Sequence, residues 1–424
     1  MSSSSRMKGL AQQISVSTSI LTDFFSSNGL PEPSFDKDAA LQIPDCPEEI
    51  QIARRNLREA AQELYALATG PSEHLRWLAC YYHDCSSLRW IYHFNIAALV
   101  PLDGTRSYAE IASSADVDEG RLRRILRQAM TNRIFCEPQK GFVAHTAASS
   151  ALIRDKGTLN WVGYTLEESF PASTKLVEAT KKYGPSEEKN HSGWNLVFDT
   201  ELPIFEYLSN HPDRANRFAE TMEALTSTDG YNVRHLLNGY SWEEFTLGTV
   251  VDVGGSIGHA SIAVAERFPN LHFIVQDLPD IVALGEQRLP PGLKDRVSFQ
   301  VHDFFTPQPV QGADVYFLRF ILHDYSDTHA TLILKNLLLA FKPNSRLLVM
   351  DGVLPEPGSM PTSEERLIRV MDLEMMTNFN AKERDLDDWR NLFVKADPRL
   401  KVVKVVKPPG SVNSIIEAAL EEGD

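Results

Sequence analysis

The chain has 424 residues, 43% of them hydrophobic and 23% charged, with a net charge of -15. That length allows two or three domains with a sizeable core. The acidic balance argues against a nucleic-acid partner, because phosphate contacts need clustered Lys and Arg. No apolar run approaches a membrane span, and the Ser-rich start Met1–Leu10 lacks the apolar stretch of a secretory signal, so a cytoplasmic protein with no membrane role is expected. Cys46, Cys80, Cys85 and Cys136 form no CxxC pair and no metal spacing; they read as inert thiols in a reducing compartment, with no metal site.

In chain order, residues 1–70 read as an N-terminal helical extension. A polar, Pro-containing stretch from Asn28 to Pro47 links two helical patterns. The second, Glu48 to Thr69, places Ile50, Ile52, Leu57, Ala60, Leu64 and Leu67 on one side, as an amphipathic helix does. It serves either as a simple cap or as a partner surface. Residues 71–235 read as a winged-helix-like dimerisation region followed by a helical region for an acceptor pocket. A helix is expected over Leu88–Leu99. Ser107 caps a short helix, Tyr108 to Ser114, and Asp118 caps Glu119 to Thr131. A hairpin follows, Ile134–Glu137 and Phe142–His145, turned by Pro138 to Gly141. The helix carrying Arg121, Arg123, Arg124 and Arg127 could read DNA, but the acidic surroundings favour a dimerisation platform. From Asn160 to His235 the chain is helical and aromatic, which is core in most proteins and can also furnish a pocket wall.

Residues 236–424 alternate strand and helix. Strands are expected at Val250–Val253, His272–Val275, Val297–Val301, Val315–Leu318, Arg346–Met350, Val402–Val406 and Asn413–Glu417. The fold class is therefore α/β, a doubly wound seven-stranded Rossmann-like sheet. Between the first two strands lie Gly254, Gly255 and Gly258, then a helix from His259 to Phe268, and Asp277 ends the second strand. This is a βαβ unit with a backbone-lined cradle and a carboxylate placed for a ribose. A dinucleotide turn needs glycine at positions one, three and six; here the third is Ser256 and the sixth His259. Glycine at one, three and five suits S-adenosylmethionine, and only Ser256 departs from that pattern. A turn whose glycines merely let helix and strand pack closely is the plainer alternative.

Ligands on such sheets bind beyond the carboxyl ends of the strands. The polar residues there are Asp277, Asp303, Arg319, His323 and Asp351, with Glu383 after the next helix. Each alone is weak, since strand-end acids also cap helices. Together they place a general base, His323, near Asp351 and Glu383, which can orient it and stabilise its imidazolium. Imidazole can take a proton from a phenol near neutral pH.

At these residues the chain resembles the caffeic-acid-type O-methyltransferases, and most of all their fungal branch, such as the sterigmatocystin O-methyltransferases. The stretches Val251–Gly258, Gln276–Pro279, Asp303–Phe305, Ile321–Asp327 and Lys382–Arg384 carry the likeness, which spans about Pro71 to Leu420. The resemblance implies S-adenosylmethionine held by Gly254, Gly255, Gly258, Asp277, Leu278, Asp303, Phe304 and Arg319, the last standing where plant relatives have Lys. It implies His323 as catalytic base with Asp351 and Glu383 flanking it; Asp351 replaces a longer Glu. Phe218, Met222, Met375, Met376 and Asn378 fall near acceptor-pocket positions. It further implies a homodimer interlocked through the winged-helix region and an aromatic or polyketide-like small-molecule acceptor. Some fungal members of this kind are pericyclases that bind the same donor without transferring its methyl. Their base position tends to carry another cationic residue, whereas this chain has His323.

Overall fold

The computed structural model describes residues 5–44, 46–245 and 247–421, so Met1–Ser4 of the Ser-rich start lie outside it. Two compact units divide the chain. One comprises Met1–Phe170 with Pro361–Ser363, and the other Pro171–Met360 with Glu364–Asp424. Among the described residues, no helix is long and apolar enough to cross a membrane.

In the first unit, helix Arg6–Ser27 packs along helix Glu48–Thr69, burying Leu10, Phe25, Ile50, Ala53 and Ala60. The expected helix Leu88–Leu99 instead runs from Tyr82 to His93 and breaks. Asn95 takes a left-handed conformation (φ 50°), and Ile96–Leu99 forms a separate turn. Asn is among the few residues that accept that conformation at low cost. Then follow β1 (Arg106–Ser107), helices Tyr108–Ala115 and Glu119–Thr131, β2 (Cys136–Gln139) and β3 (Phe142–Ala144). The three short strands pair antiparallel in the order β1-β3-β2. The element order here is helix, strand, helix, helix and hairpin. Ser107 and Glu110 close a reciprocal cap on the first of the two helices, and Asp118 accepts the Arg121 N–H at 2.8 Å on the second. Arg127 is bidentate to Glu137, at 2.8 and 2.9 Å, so part of the basic helix face is engaged within the unit.

The second unit is built on β4 (Gly248–Val253), β5 (Leu271–Asp277), β6 (Val297–Val301), β7 (Val315–Arg319), β8 (Arg346–Asp351), β9 (Leu400–Val406) and β10 (Ser414–Leu420). Their order is β6-β5-β4-β7-β8-β10-β9. Six strands run in one direction; β10 lies antiparallel between β8 and β9. All seven expected strands are present, with ends shifted by at most a few residues. Alternate residues of each central strand divide between two cores, as a two-residue repeat requires. Val251, Val253, Tyr316, Leu318, Leu347 and Val349 meet helices Asp327–Leu338 and Leu386–Ala396 on one face. Val250, Val315, Phe317, Leu348 and Met350 meet helices Arg234–Gly239 and His259–Arg267 on the other. A sheet covered on both faces is doubly wound. Its order reverses between β4 and β7, and there the carboxyl ends of β5, β4, β7 and β8 open a crevice.

Candidate active site

The turn after β4 has positive φ at Gly254 (73°), Ser256 (53°) and Gly258 (78°). A Cβ on Gly254 would lie 2.5 Å from Ile321 Cδ1, and one on Gly255 2.5 Å from Asp252 Cγ. Both positions therefore need glycine for space, and Gly254 for conformation as well. Ser256 bears the left-handed strain without that freedom. Its N–H donates to Asp277 Oδ2 at 2.8 Å, while Asp277 Oδ1 accepts from the Leu278 N–H at 2.8 Å. Burial pushes the Asp277 carboxyl up, and these two N–H groups pull it back. Leu278 itself is 55% exposed. Asp252, beneath the turn, accepts from Ser261 Oγ at 2.6 Å; burial raises its carboxyl to about 6 despite that bond.

Phe304 leans toward the same turn, 3.5 Å from the Cβ position of Gly254, and packs edge-on against Phe305 and Tyr325. Asp303 is exposed and accepts the Phe305 N–H at 2.9 Å. Arg319, at the end of β7, is buried; it donates to the Tyr231 carbonyl at 2.7 Å and lies 2.9 Å from His259 Nε2. Burial lowers it to about 10, against the attraction of Asp252 and Asp351, so it remains a cation. Burial, reinforced by that cation, lowers His259 to about 4. His259 is thus neutral, with Nε2 accepting.

Phe320 follows with φ 56°, and its N–H donates to Asp351 Oδ1 at 2.7 Å. The reversed backbone leads into a single turn, Leu322–Asp324, that presents His323. His323 Nδ1 lies 2.8 Å from Glu383 Oε1, and Nε2 lies 3.6 Å from Asp324 Oδ1. Burial works against the imidazolium, but Glu383, Asp324 and Asp351 outweigh it and raise His323 to about 10. Burial, only partly opposed by His323, raises Asp324 to about 7. It raises Asp351 as well, with His323 opposing. Of the two acids expected to flank His323, Glu383 bonds the ring. Asp351 bonds the backbone of the preceding residue and reaches the imidazole through its charge. Asp324, which stands in the Ile321–Asp327 stretch with no role of its own in the sequence reading, also acts on the ring.

Phe218 and Met375 join one aromatic cluster with Trp194, Phe198, Tyr207 and Phe379. Met222 is half-buried on helix Pro212–Ser227. Asn378 is buried, with Nδ2 donating to Glu374 Oε2 at 2.9 Å. Met376 is 44% exposed, since adjacent helical residues face different ways. Among the described residues, no group of His, Cys, Asp or Glu is arranged to hold a metal ion.

The glycine cradle, the acid tied to it and the neighbouring aromatics fit an adenosyl group. Comparison with known proteins agrees with this chemistry. The O-methyltransferase domain family matches residues 182–397. The O-methyltransferase pgmB of Aspergillus terreus is 41% identical over 425 residues, covering 98% of this chain and 96% of that protein. The chlorophenol O-methyltransferase of Trichoderma longibrachiatum is 38% identical, covering 99% and 91%. Among solved structures, OxaC superposes with a TM-score of 0.79 at 22% identity, over 98% of this chain and 99% of OxaC. A pericyclic reaction enzyme superposes at 0.72 and 24% identity, over 97% and 100%; at such identities only the fold is shared. The chain belongs to the S-adenosylmethionine-dependent O-methyltransferases of the caffeic-acid type, in company with fungal relatives.

Proposed function

We propose that the enzyme methylates a phenolic or enolic hydroxyl of a polyketide-like fungal secondary metabolite, with His323 as general base. The observation that carries this reading is the 2.8 Å contact between His323 Nδ1 and the buried Glu383 carboxylate. Glu383 fixes the ring and leaves Nε2 as the working nitrogen. The chlorophenol substrate in the name of the Trichoderma relative supports a phenolic acceptor.

Gly254, Gly255, Gly258, Asp277, Leu278, Phe304 and Arg319 would hold the donor, with Asp303 at the rim. When bound, S-adenosylmethionine supplies an electrophilic methyl on a positively charged sulfur. His323, raised to about 10, keeps its proton at neutral pH while only carboxylates face it. A cation entering this buried volume lowers that pKa, because like charge disfavours the imidazolium. With its pKa so lowered, His323 would lose its proton to solvent before the acceptor is seated, and the neutral Nε2 would then take the proton of an acceptor hydroxyl. The freed electron pair on oxygen would be the nucleophile toward the methyl that the donor supplies, with a neutral thioether as leaving group. Phe218, Met222, Met375, Met376 and Asn378 would furnish the acceptor side.

The first unit supports a homodimer. Tyr65, Leu75, Trp77, Leu78 and Tyr82 are 48–64% exposed along helices Glu48–Thr69, Pro71–Leu78 and Tyr82–His93. A second copy would cover this apolar face. A cytoplasmic location accords with four free cysteines, which suit a reducing compartment. No nucleic-acid or membrane partner enters this reading.

Four outcomes are expected. Asp277→Ala should weaken S-adenosylmethionine binding in calorimetry by about 1.5–3 kcal/mol, the worth of a bond to a charged group; unchanged affinity would remove Asp277 from the donor site. His323→Ala should cut turnover of phenolic polyketides by about 10²–10⁴-fold at near-normal donor affinity. Tight donor binding in the wild type, with conversion but neither methyl gain nor S-adenosylhomocysteine, would instead mark a pericyclase. Glu383→Gln should move the His323 titration, followed by ¹⁵N NMR, down toward its ordinary value. The raised folded-state pKa gives stability that is full below pH 6.5 and is lost as pH climbs toward about 10. Glu383→Gln should flatten that loss, and an equally steep loss would exclude the pair as its source. Light scattering should give a dimer mass at micromolar concentration, and a monomer mass would reject the interface.

A further inference from the structure

We propose that Arg384 is a positioning residue for His323, acting as a clamp on the backbone of the turn that carries the imidazole. The proposal rests on the reading of His323 as the base. Arg384 follows Glu383 directly in an extended segment, and successive side chains there point to opposite sides. Glu383 takes the His323 ring from one side. From the other, Arg384 donates Nη1–H to the Leu322 carbonyl at 2.7 Å and Nη2–H to the Tyr325 carbonyl at 2.8 Å. Those two carbonyls bracket His323 and Asp324. One dipeptide thus holds both the ring and the main chain of the same turn.

The guanidinium is fully buried, and such a charge is tolerated only when paired and hydrogen-bonded. Its remaining capacity goes to Asp327 Oδ1, 3.1 Å from Nε and 3.0 Å from Nη2. Asp327 opens helix Asp327–Leu338, and Lys382 and Lys395 also approach its other oxygen at 3.3 Å. Burial would raise the Asp327 carboxyl, but Arg384 and Lys382 outweigh burial and hold it below its usual range. Trp389 lies under the guanidinium, 5.3 Å from Cζ to the ring centroid, and its Nε1–H donates to the Gly352 carbonyl at 3.1 Å. The main chain of Arg384 is fixed too, by a bridge to Val353 and by its carbonyl accepting the Leu354 N–H at 2.9 Å. The clamp is therefore anchored to the segment that continues from Asp351.

The turn needs such an anchor. It begins at Phe320, in a left-handed conformation (φ 56°) that a side chain disfavours. Asp351 holds that end through the Phe320 N–H. Arg384 holds the other end, and without it the imidazole can drift from Glu383 while the donor cradle stays intact.

The test uses the full chain with Arg384→Lys and Asp327→Asn. Lys keeps the charge but cannot reach both carbonyls with a planar fork. The readings are S-adenosylmethionine affinity by calorimetry, kcat and KM with 4-chlorophenol as probe, and the His323 titration by ¹⁵N NMR. Glu383, Asp324 and Asp351 are the ionisable groups facing that ring. Arg384→Lys should lower kcat by about 10- to 100-fold, a loss typical of misplaced catalytic groups, with donor affinity and KM near wild type. The His323 titration should shift down toward its ordinary value. Asp327→Asn should do the same to a smaller degree. Wild-type kcat together with a wild-type His323 titration in Arg384→Lys overturns the clamp. Should that variant not fold, Asp327→Asn decides by the same two readings. If the wild type transfers no methyl, the base reading falls by itself, and the titration alone decides the clamp.

Discussion

The structure of the site depends on burying one imidazole among carboxylates at the carboxyl edge of the sheet. Ions taken out of water cost several kcal/mol each unless they are paired and hydrogen-bonded. Glu383 meets that demand for His323, Arg384 meets it through two carbonyls and Asp327, and Arg319 leans on the Tyr231 carbonyl and His259. The compensation is incomplete. Glu383 Oε2, Asp351 Oδ2 and Arg319 Nε are buried without a hydrogen-bond partner. Folding of the whole β4–β8 platform sustains this tension, and the reward is preorganisation: the charges already stand where a reaction needs them.

The two strained residues of the site are held by one device used twice. Ser256, after β4, has positive φ, and its N–H is taken by Asp277 at the end of the neighbouring β5. Phe320, after β7, has positive φ, and its N–H is taken by Asp351 at the end of the neighbouring β8. A non-glycine residue in this conformation costs on the order of 1–2 kcal/mol. A charge-assisted bond from its amide is of the same size. Each acid thus has a backbone task besides any task toward ligand. The short side chain of Asp351 suffices for this backbone task. It needs to reach an amide of its own sheet edge, not the imidazole.

Much of this was legible in the sequence because parallel strands buried on both faces write themselves as apolar runs. Val250–Val253 and Val315–Leu318 are such runs, and all seven strands were found. The glycine turn was legible for the same local reason. The break at Asn95 was not, because helical spacing continues through Phe94 and Ile96 and only the left-handed Asn interrupts it. At the site, residue types and strand ends identified His323, Asp351 and Glu383 as a group. Which acid bonds the ring is a matter of loop geometry, and no spacing encodes it. Arg384 stood in the Lys382–Arg384 stretch without a role, because its partners are backbone carbonyls, which any sequence would supply.

Charge also gives the crevice a direction. Glu383, Asp324 and Asp351 all act on the His323 imidazole, and their combined attraction raises it to about 10 against burial. On the proposed reading, carboxylates placed in this way would also attract a sulfonium cation. Methyl transfer would leave a neutral thioether in place of that cation, with the acceptor's proton on His323. That attraction would then be gone, and the imidazolium would again be paired with Glu383, 2.8 Å from its Nδ1. On that reading, the same carboxylates that hold a proton on His323 before the donor arrives would favour departure of the spent donor and restore the starting state.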